Sequence, residues 1–463
     1  MTSHRPLLEH TLDHAVEYLD ALDSRPVAAS ASADELRAAL HGPLPEDGIS
    51  SEAVVDELVA ALDGGLLGSA GGRFFGWVIG GALPASVAAD WLAVAWDQNA
   101  AIFATSPAAS VVEERCGEWL KKLLGLPETA SFALVTGCQM AHVTALAAAR
   151  QYVLARHGID VQRDGLRMAP PIRVLASELR HATIDRAIRL LGIGTEAIVE
   201  LPEDGAGRTS LRALRAALAE EPGAPAIVCL QAGELNTGAF DLFPETCELA
   251  HAHGAWVHVD GAFGLWATAS GSYRHLVEGI DRADSWATDG HKWLNVPQDA
   301  GFAFTAHPVS HRQSMVSAGS YFDHAAAARD EMDWNPEWSR RARGLAVYAA
   351  IRSLGRKGVE ELVDRCCAQA ARLVAEIGAL PGAEVVEPPL INQGLVRFLD
   401  PGGDHDRRTD EVIARVQALG EAWFGGAACR GQRVMRVSVS NWRTSDEDVD
   451  RAVASVRAAL AGA

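Results

Sequence analysis

Short apolar runs alternate with helical stretches from about Phe132 onward, and each apolar run ends in a polar or glycine residue. Helical spacing of apolar residues favours helices at residues 139–156, 184–191, 211–220 and 247–253. Five runs fit β-strands, at residues 172–176, 226–231, 256–260, 285–288 and 301–305. Strands that alternate with helices predict a mostly parallel sheet with helices on both faces. Ligands of such sheets bind at the carboxyl ends of the strands.

The N-terminal segment has a different pattern. Residues 7–22 have the spacing of an amphipathic helix, and residues 28–51 are rich in Ala, Pro, Asp and Gly. Residues 64–81 are glycine-rich and contain the adjacent aromatic residues Phe74 and Phe75. An arm of this composition has little core of its own. We therefore expect it to pack on another surface, such as that of a second subunit.

The C-terminal segment predicts a smaller unit. A long helix is expected from about residue 339 to 354 and on into the smaller unit. Strand-like runs follow at 395–398 and 434–439, and a closing helix at 446–459. The resulting division has three parts: an N-terminal helical arm (1–80), a large domain (81–345) and a small C-terminal α+β domain (346–463).

The composition narrows the class of protein. The chain has 463 residues, of which 48% are hydrophobic, enough for a large core. Its net charge of −19 argues against nucleic acids and anionic membranes as partners. The sequence has neither an apolar run long enough for a membrane span nor a secretory pattern. The seven cysteines form no C-x-x-C pair, so we expect a reduced, cytoplasmic protein.

Common site motifs are absent from the sequence. There is no G-x-G-x-x-G after a strand and no G-x-x-x-x-G-K-[ST], which argues against nucleotide binding through those two motifs. There is also no H-E-x-x-H and no Cys/His cluster with metal-ligand spacing, so no metal site is predicted.

Lys292 is an unusual lysine. Lysine occurs at only four positions in the chain, and Lys292 follows a predicted strand directly, among bulky apolar residues. A lysine is costly to bury unless it is paired or used covalently. The alternative is a lysine at a strand end whose amine reaches solvent.

Asp260 ends the predicted strand at residues 256–260. Strand alternation places Trp256, His258 and Asp260 on one face, with the carboxylate at the end where a ligand binds. A buried aspartate needs a cationic or donor partner, and a protonated pyridine nitrogen is one. The alternative is an aspartate that caps the next helix.

Two further parts of the sequence can bind a ligand. Gly137, Cys138 and Gln139 lead from an apolar stretch into a long helix, where backbone N–H groups can bind an anion. An ordinary helix cap is the alternative there. His181 precedes another helix and can stack on an aromatic ring, although a lone histidine in such a place is more often structural.

In chain order these residues resemble the group II PLP-dependent decarboxylases, which have fold type I and include aromatic-L-amino-acid, glutamate and histidine decarboxylases. The resemblance covers roughly residues 74–444. It is carried by Gly137-Cys138-Gln139, His181, Asn236-Thr237-Gly238, His258-Val-Asp260-Gly-Ala262 and Asp289-Gly-His291-Lys292-Trp293.

The resemblance implies a role for each matched residue. Lys292 would hold pyridoxal 5′-phosphate (PLP) as a Schiff base, and Asp260 would pair with the pyridine nitrogen. Ala262 and His181 would lie on the two faces of the ring, and Thr237 in the segment near its O3′ atom. The phosphate would be surrounded by Gly137, Cys138, Gln139 and His291.

Other matched positions concern the substrate. Tyr321 matches a mobile-loop tyrosine that, in the family, protonates the substrate carbon after CO₂ leaves. Trp77, Ile79, Gly80 and Arg340 are the candidate substrate contacts implied by the resemblance. Arg436 and residues 441–444 match the C-terminal signature of the family.

This chain departs from the family at several positions. Phe322 stands where leucine is usual. Asp289 stands where Asn or Ser is commoner, and we expect it to turn away from the phosphate, which would repel it. Residues 77–81 lack the polar and aromatic residues of the enzymes that act on aromatic amino acids.

The expected function is therefore decarboxylation of an L-amino acid by a homodimer with shared active sites. Two alternatives remain open. One is a PLP enzyme of the same fold with another outcome, either oxidative deamination to an aldehyde or β-elimination. The other is a PLP-binding protein without catalytic activity.

Overall fold

The computed structural model of the protein describes residues 4–316 and 328–462. Two β-sheets organise this part of the chain. The strands of the larger sheet are β1 (Ser131–Val135), β2 (Arg173–Ser177), β3 (Ile198–Leu201), β4 (Ala226–Gln231), β5 (Trp256–Asp260), β6 (Ser285–Asp289) and β7 (Gly301–Thr305). Those of the smaller sheet are β8 (Ala383–Glu387), β9 (Gln393–Phe398), β10 (Gly425–Cys429) and β11 (Gln432–Ser438).

The helices fall into three groups along the chain. Before the large sheet come α1 (His4–Ala21), α2 (Ala33–Ala39), α3 (Ser51–Leu62), α4 (Pro84–Trp96) and α5 (Pro107–Leu123). Among its strands and just after them lie α6 (Cys138–Ala155), α7 (Val161–Asp164), α8 (Ala182–Leu190), α9 (Leu211–Glu220), α10 (Phe243–Ala252) and α11 (Pro308–Met315). Around the small sheet lie α12 (Gly344–Gly378), α13 (His405–Leu419) and α14 (Asp446–Ala461).

The large sheet is mainly parallel, as predicted. Its strands lie in the order β1-β7-β6-β5-β4-β2-β3. The pairs from β6 to β3 are parallel, and β7 runs antiparallel to both of its neighbours. Every residue of β1, β2, β4, β5, β6 and β7 is buried, as expected for a sheet covered on both faces. The smaller sheet is antiparallel, in the order β10-β11-β9-β8.

The sheet brings three chain segments to one edge. β1 and β6 are both antiparallel to β7, so their carboxyl ends lie on the same side. In the parallel part, Gln231 at the end of β4 pairs with Asp260 at the end of β5. Asp260 in turn pairs with Ala287 of β6. The start of α6, the Asp260 carboxylate and the turn after β6 therefore meet at this edge.

Sequence patterns did not identify four strands, β1, β3, β8 and β10. All four lie at the edges of their sheets. β3 and β8 are only partly buried, and β10 is built of Gly, Ala and Cys, so their patterns are weak. β1 is fully buried, but it leads through a short turn into an apolar helix that obscures its end.

The long helix α12 begins at Gly344, so the prediction that it starts near residue 339 is wrong. The backbone before it has other partners: the Arg340 carbonyl accepts the N–H of Ala100, and the Arg340 N–H donates to Asn99. As predicted, the helix continues past residue 354, and it ends at Gly378, with non-helical backbone angles at Gly355.

The N-terminal arm divides into two parts. Helices α1, α2 and α3 contain no buried residue, as expected of an arm with little core of its own. The glycine-rich stretch at 64–81 packs on another surface, as expected, and part of that surface belongs to the C-terminal segment of the same chain. Phe74 stacks on Trp423, and Phe75 stacks on Phe424 of the same chain. The boundaries at residues 80 and 345 stay predictions.

None of the described helices is both long enough and apolar enough to cross a membrane.

Candidate active site

Lys292 lies in the turn after β6, with Nζ 3.1 Å from Oδ2 of Asp289. Burial alone would lower the pKa of the Lys292 amine, but the Asp289 carboxylate and weaker neighbours outweigh it and raise that pKa. The turn packs tightly on Gly80, because a β-carbon at residue 80 would lie 1.8 Å from the Lys292 carbonyl oxygen. Asn295 ties the turn to the same segment by accepting the N–H of Gly81 at 2.7 Å. Residue 80 therefore shapes the turn that carries Lys292.

Asp260 is a buried carboxylate at the carboxyl end of β5. Its Oδ1 accepts the N–H of Ala262 at 3.1 Å, and its Oδ2 lies 3.4 Å from Nε2 of His142. Burial would raise the pKa of the Asp260 carboxyl, but His142, and more weakly His181 and Lys292, hold it well below its usual range. The carboxylate is therefore ionised and able to pair with a cation.

The N-terminus of α6 faces the same space. Gly137 precedes the helix, and a β-carbon there would lie 3.2 Å from the His291 ring. A β-carbon at Gly301 would lie 2.4 Å from Gly137, so the two segments meet backbone to backbone. Gln139 donates to the Thr183 carbonyl at 3.2 Å. Helix N-termini of this kind bind anionic groups such as phosphate.

Asp289 does not turn away from this helix end, and that expectation is wrong. Its Oδ1 accepts the N–H of Cys138 at 2.6 Å, while its Oδ2 faces Lys292. Oδ1 also lies 3.6 Å from Nε2 of His291. Asp289 thus joins the helix N-terminus and the lysine amine within one buried cluster.

Two histidines lie at this edge. His181 caps α8, where its Nδ1 accepts the N–H of Thr183 at 3.3 Å. The Nδ1 of His291 accepts the N–H of Ala300 at 3.2 Å. Burial lowers the pKa of both imidazoles, and the carboxylates of Asp260 and Asp289 oppose this only in part. Both rings are therefore expected to be neutral near pH 7.

These groups surround a cavity of about 310 Å³, a size typical of small-molecule sites. It is lined by Gly137, Cys138, Gln139, His181, Thr183, Gln231, Gly233, Leu235, Asp260, Ala262, Phe263, Asp289, His291 and Lys292. Eight of the residues proposed from sequence are in this set: Gly137, Cys138, Gln139, His181, Asp260, Ala262, His291 and Lys292.

The donor set fits PLP. A lysine amine, an ionised carboxylate and a helix N-terminus match its aldehyde, ring nitrogen and phosphate. Gln139 and Gln231 line the cavity, and a buried amide atom of each, Oε1 and Nε2 respectively, has no hydrogen-bond partner among the residues that the structure describes. Such atoms are normally satisfied by a ligand or water.

Other proposed contacts lie elsewhere. Thr237 is outside the lining, and its hydroxyl donates to Glu234 at 2.9 Å. Arg340 is buried in a two-pronged ion pair with Glu113, at 2.8 Å for each contact, so a substrate role in this chain is not supported. Trp77 is half exposed and packs on Trp423.

Ile79 and Gly80 lie beside the site without lining the cavity. The Ile79 carbonyl accepts the hydroxyl of Ser440 at 3.0 Å, and Gly80 contacts the Lys292 backbone. Tyr321 lies outside the described residues, and its role stays a prediction.

Sequence reasoning missed several members of this site. Thr183, Gln231, Gly233, Leu235 and Phe263 line the cavity through segments that carry no recognisable motif. His142 was also missed, although its position four residues after Cys138 places it on the same face of α6 as that residue. That spacing was the available signal.

Known proteins resemble this chain in sequence and in fold. Residues 35–399 match the model of the pyridoxal-dependent decarboxylase conserved domain. The chain is 26% identical to an aromatic-L-amino-acid decarboxylase of Bacillus atrophaeus, over 98% of this chain and 95% of that protein. It is 25% identical to a 4-hydroxyphenylacetaldehyde synthase of Rhodiola rosea, over 95% and 91%. The crystal structure of Oryza sativa TDC with PLP and tryptamine superposes with a TM-score of 0.92, at 23% identity, over 99% of this chain and 97% of that one.

Proposed function

Because this chain belongs to the family of pyridoxal-dependent decarboxylases, we propose that it converts an L-amino acid into an amine and CO₂. The observation that carries the proposal is the convergence of Lys292, Asp260 and the N-terminus of α6 on one cavity. The family match implies the cofactor, and the donor set of the cavity fits it.

Each group of the cavity has a part in this reaction. The Lys292 amine holds the cofactor, the Asp260 carboxylate pairs with its ring nitrogen, and the start of α6 binds its phosphate. PLP, when bound, supplies an acceptor for the electron pair that stays on the substrate carbon as CO₂ leaves. His181 and Ala262 line the cavity, and we assign them to the two faces of the ring.

Arg436 is proposed as the cation that meets a substrate carboxylate. It lies on β11, and burial lowers its pKa to about 10, with Glu234 opposing the shift. It is near enough to His181 to contribute to the lowered pKa of that ring. Among the described residues no carboxylate lies within ion-pair distance of Arg436. A buried, unpaired guanidinium is well suited to bind a carboxylate.

Tyr321 is proposed as the proton donor to the substrate carbon, on the strength of the family resemblance. The test is Tyr321→Phe in the full-length protein, with amine, aldehyde and peroxide measured together. Loss of amine with a gain of aldehyde and peroxide is the expected result. Unchanged amine production would remove this residue from the mechanism.

A second candidate function is oxidative conversion to an aldehyde. The similarity to a 4-hydroxyphenylacetaldehyde synthase favours it. In that reaction the amino acid, O₂ and water give an aldehyde, CO₂, ammonia and hydrogen peroxide. Oxygen uptake and peroxide release distinguish it from simple decarboxylation.

We also propose a homodimer located in the cytoplasm. Large apolar side chains on the arm are exposed, among them Leu8, Leu12, Val54 and Leu58. Beside them a cavity of about 1020 Å³ lies between α1, α3 and Trp91. Exposed apolar surface of this extent is typical of interaction sites. Light scattering of the full chain, compared with a Leu8→Glu/Leu12→Glu variant, tests the arm as the contact.

The central experiment combines a spectrum with a product assay. Purified protein is expected to absorb as a lysine-bound PLP enzyme, and borohydride should fix the cofactor on Lys292. An L-amino-acid panel containing aromatic and acidic members is then assayed for CO₂, amine, aldehyde and peroxide. Lys292→Ala should abolish both signals, whereas Lys357→Ala, a lysine of α12, should keep them. A protein that stays colourless with added PLP would contradict the proposal.

A further inference from the structure

A chain of buried polar side chains ends on Asp260. The indole Nε1 of Trp256 lies 2.9 Å from Oγ of Ser285, which lies 2.9 Å from Nδ1 of His258. Nε2 of His258 lies 2.9 Å from Nδ1 of His142, whose Nε2 lies 3.4 Å from Oδ2 of Asp260. The first four residues are fully buried, and none of them lines the cavity.

The groups at the two ends of this series of side chains determine which atoms carry the hydrogens. An indole N–H can only donate, so Ser285 accepts from Trp256. A carboxylate can only accept, so a hydrogen bond at the 3.4 Å contact with Asp260 requires the hydrogen of His142 to be on Nε2. Burial, and to a lesser degree His142, lower the pKa of His258 to about 3, which leaves that ring neutral. When the bond between the two imidazoles runs from Nε2 of His258 to Nδ1 of His142, the neutral His142 ring carries its hydrogen on Nε2, the atom that faces Asp260.

The hydrogen-bond donors that the other described residues bring to Asp260 contact its Oδ1. The thiol of Cys138 lies 3.4 Å from the same Nε2 and 3.9 Å from Oδ1 of Asp260. Burial, together with the nearby carboxylates, raises the pKa of Cys138 well above its usual value, so the thiol stays neutral and is a weak donor. The Ala262 N–H also bonds Oδ1. His142 is therefore the nearest side chain able to stabilise the negative charge on Oδ2.

We propose that His142 is a positioning residue that keeps Asp260 ionised and so keeps a proton on the ring nitrogen of the bound cofactor. The inference rests on the proposed placement of PLP between Lys292 and Asp260. A buried pair of carboxylate and protonated pyridine competes with a neutral pair in which the proton has moved to the carboxyl. Donation from His142 lowers the proton affinity of Asp260 and favours the charged pair. The other residues of the series, Trp256, Ser285 and His258, hold the His142 ring in place.

The contact between His142 and Asp260 suggests a matched pair of variants. The amide of His142→Gln reaches the position of Nε2 and can still donate to Asp260, whereas the shorter amide of His142→Asn cannot. Each protein is loaded with PLP labelled with ¹⁵N in the ring, and the nitrogen resonance is recorded along with the rate of PLP release. His142→Asn should move the resonance toward that of an unprotonated pyridine. It should also speed release by about tenfold or more, as expected for loss of a hydrogen bond to a charged group.

His311→Asn is the control for loss of a buried histidine. His311 is also fully buried, and its ring contacts Ser131 and the Trp334 carbonyl, each at 2.9 Å. This variant should leave the ring nitrogen unchanged, and His142→Gln should stay close to the unmodified protein. A protonated ring nitrogen and unchanged PLP release in His142→Asn would overturn the inference. Should His142→Asn not fold, His142→Leu carries the same test. An unmodified protein that takes up no labelled PLP would instead refute the cofactor placement itself.

Discussion

Asp289→Asn should accelerate capture of the cofactor by the apoenzyme. The substitution keeps an oxygen that can accept the N–H of Cys138 but removes the negative charge 3.1 Å from Nζ of Lys292. That charge is the main reason why the pKa of Lys292 is raised in spite of its burial. Without it burial prevails, and the pKa of the amine falls.

The magnitude follows from the contact distance. An opposite charge this close shifts a pKa by about 1–3 units. Only the neutral amine attacks an aldehyde, and below its pKa the neutral fraction changes about tenfold for each unit. Lowering the pKa therefore increases the reactive fraction near pH 7 by about 10- to 1000-fold. The pH profile of capture moves to lower pH by the same number of units.

The assay mixes apoenzyme with PLP or with pyridoxal, which lacks the phosphate, and follows absorbance across a pH range. If Asp289 acts through Lys292, the variant gains equally with both aldehydes. If it also repels the phosphate, the gain is larger with PLP. Asp284→Asn is the matched control, because Asp284 is bonded to His251 and His307 rather than to the lysine. A rate with pyridoxal that is no faster than that of the unmodified protein at any pH would refute the reasoning.

Three further results are expected. Gly80→Ala places a carbon against the Lys292 carbonyl and should lower activity in the product assay by about a hundredfold. Circular dichroism should show that the variant is folded, and near-normal activity would show that the turn can move. Arg340→Leu leaves Glu113 buried without its partner and should lower the free energy of unfolding, measured in urea, by about 3–5 kcal/mol. The double variant Arg340→Leu/Glu113→Leu should recover part of this loss, and an unchanged free energy of unfolding in the single variant would contradict the reasoning. All seven cysteines are buried free thiols, so a thiol reagent should label them quickly only in denaturant, and rapid labelling of native protein would count against this packing.

Several features could be predicted from local sequence because they depend on neighbours along the chain. The strands at 226–231, 256–260 and 301–305 and the helix at 211–220 were predicted with the bounds that the structure has. Alternation along β5 also placed His258 and Asp260 on one face. Backbone periodicity determines such features wherever the fold buries the element.

Edge strands and packing partners were less predictable. β3 and β10 carry weak patterns, because an edge strand pairs on one side only and needs less apolar sequence. The glycine-rich stretch at 64–81 was expected to pack on another surface, but its sequence did not identify the partner, Phe424, on which Phe75 packs. The residues of that contact are far apart in sequence, and no local pattern joins them.

The sequence by itself determined the fold class and the family, and it predicted Lys292 and Asp260 as residues that hold the cofactor. These follow from short motifs and from the rule that ligands bind at the carboxyl ends of parallel strands. Only the tertiary structure decided which charges meet. It paired Arg340 with Glu113, turned Asp289 toward Lys292 and placed His142 behind Asp260. The physical reason is that a buried charge takes its partner from whatever the fold brings within a few ångströms, and that choice has no signature along the chain.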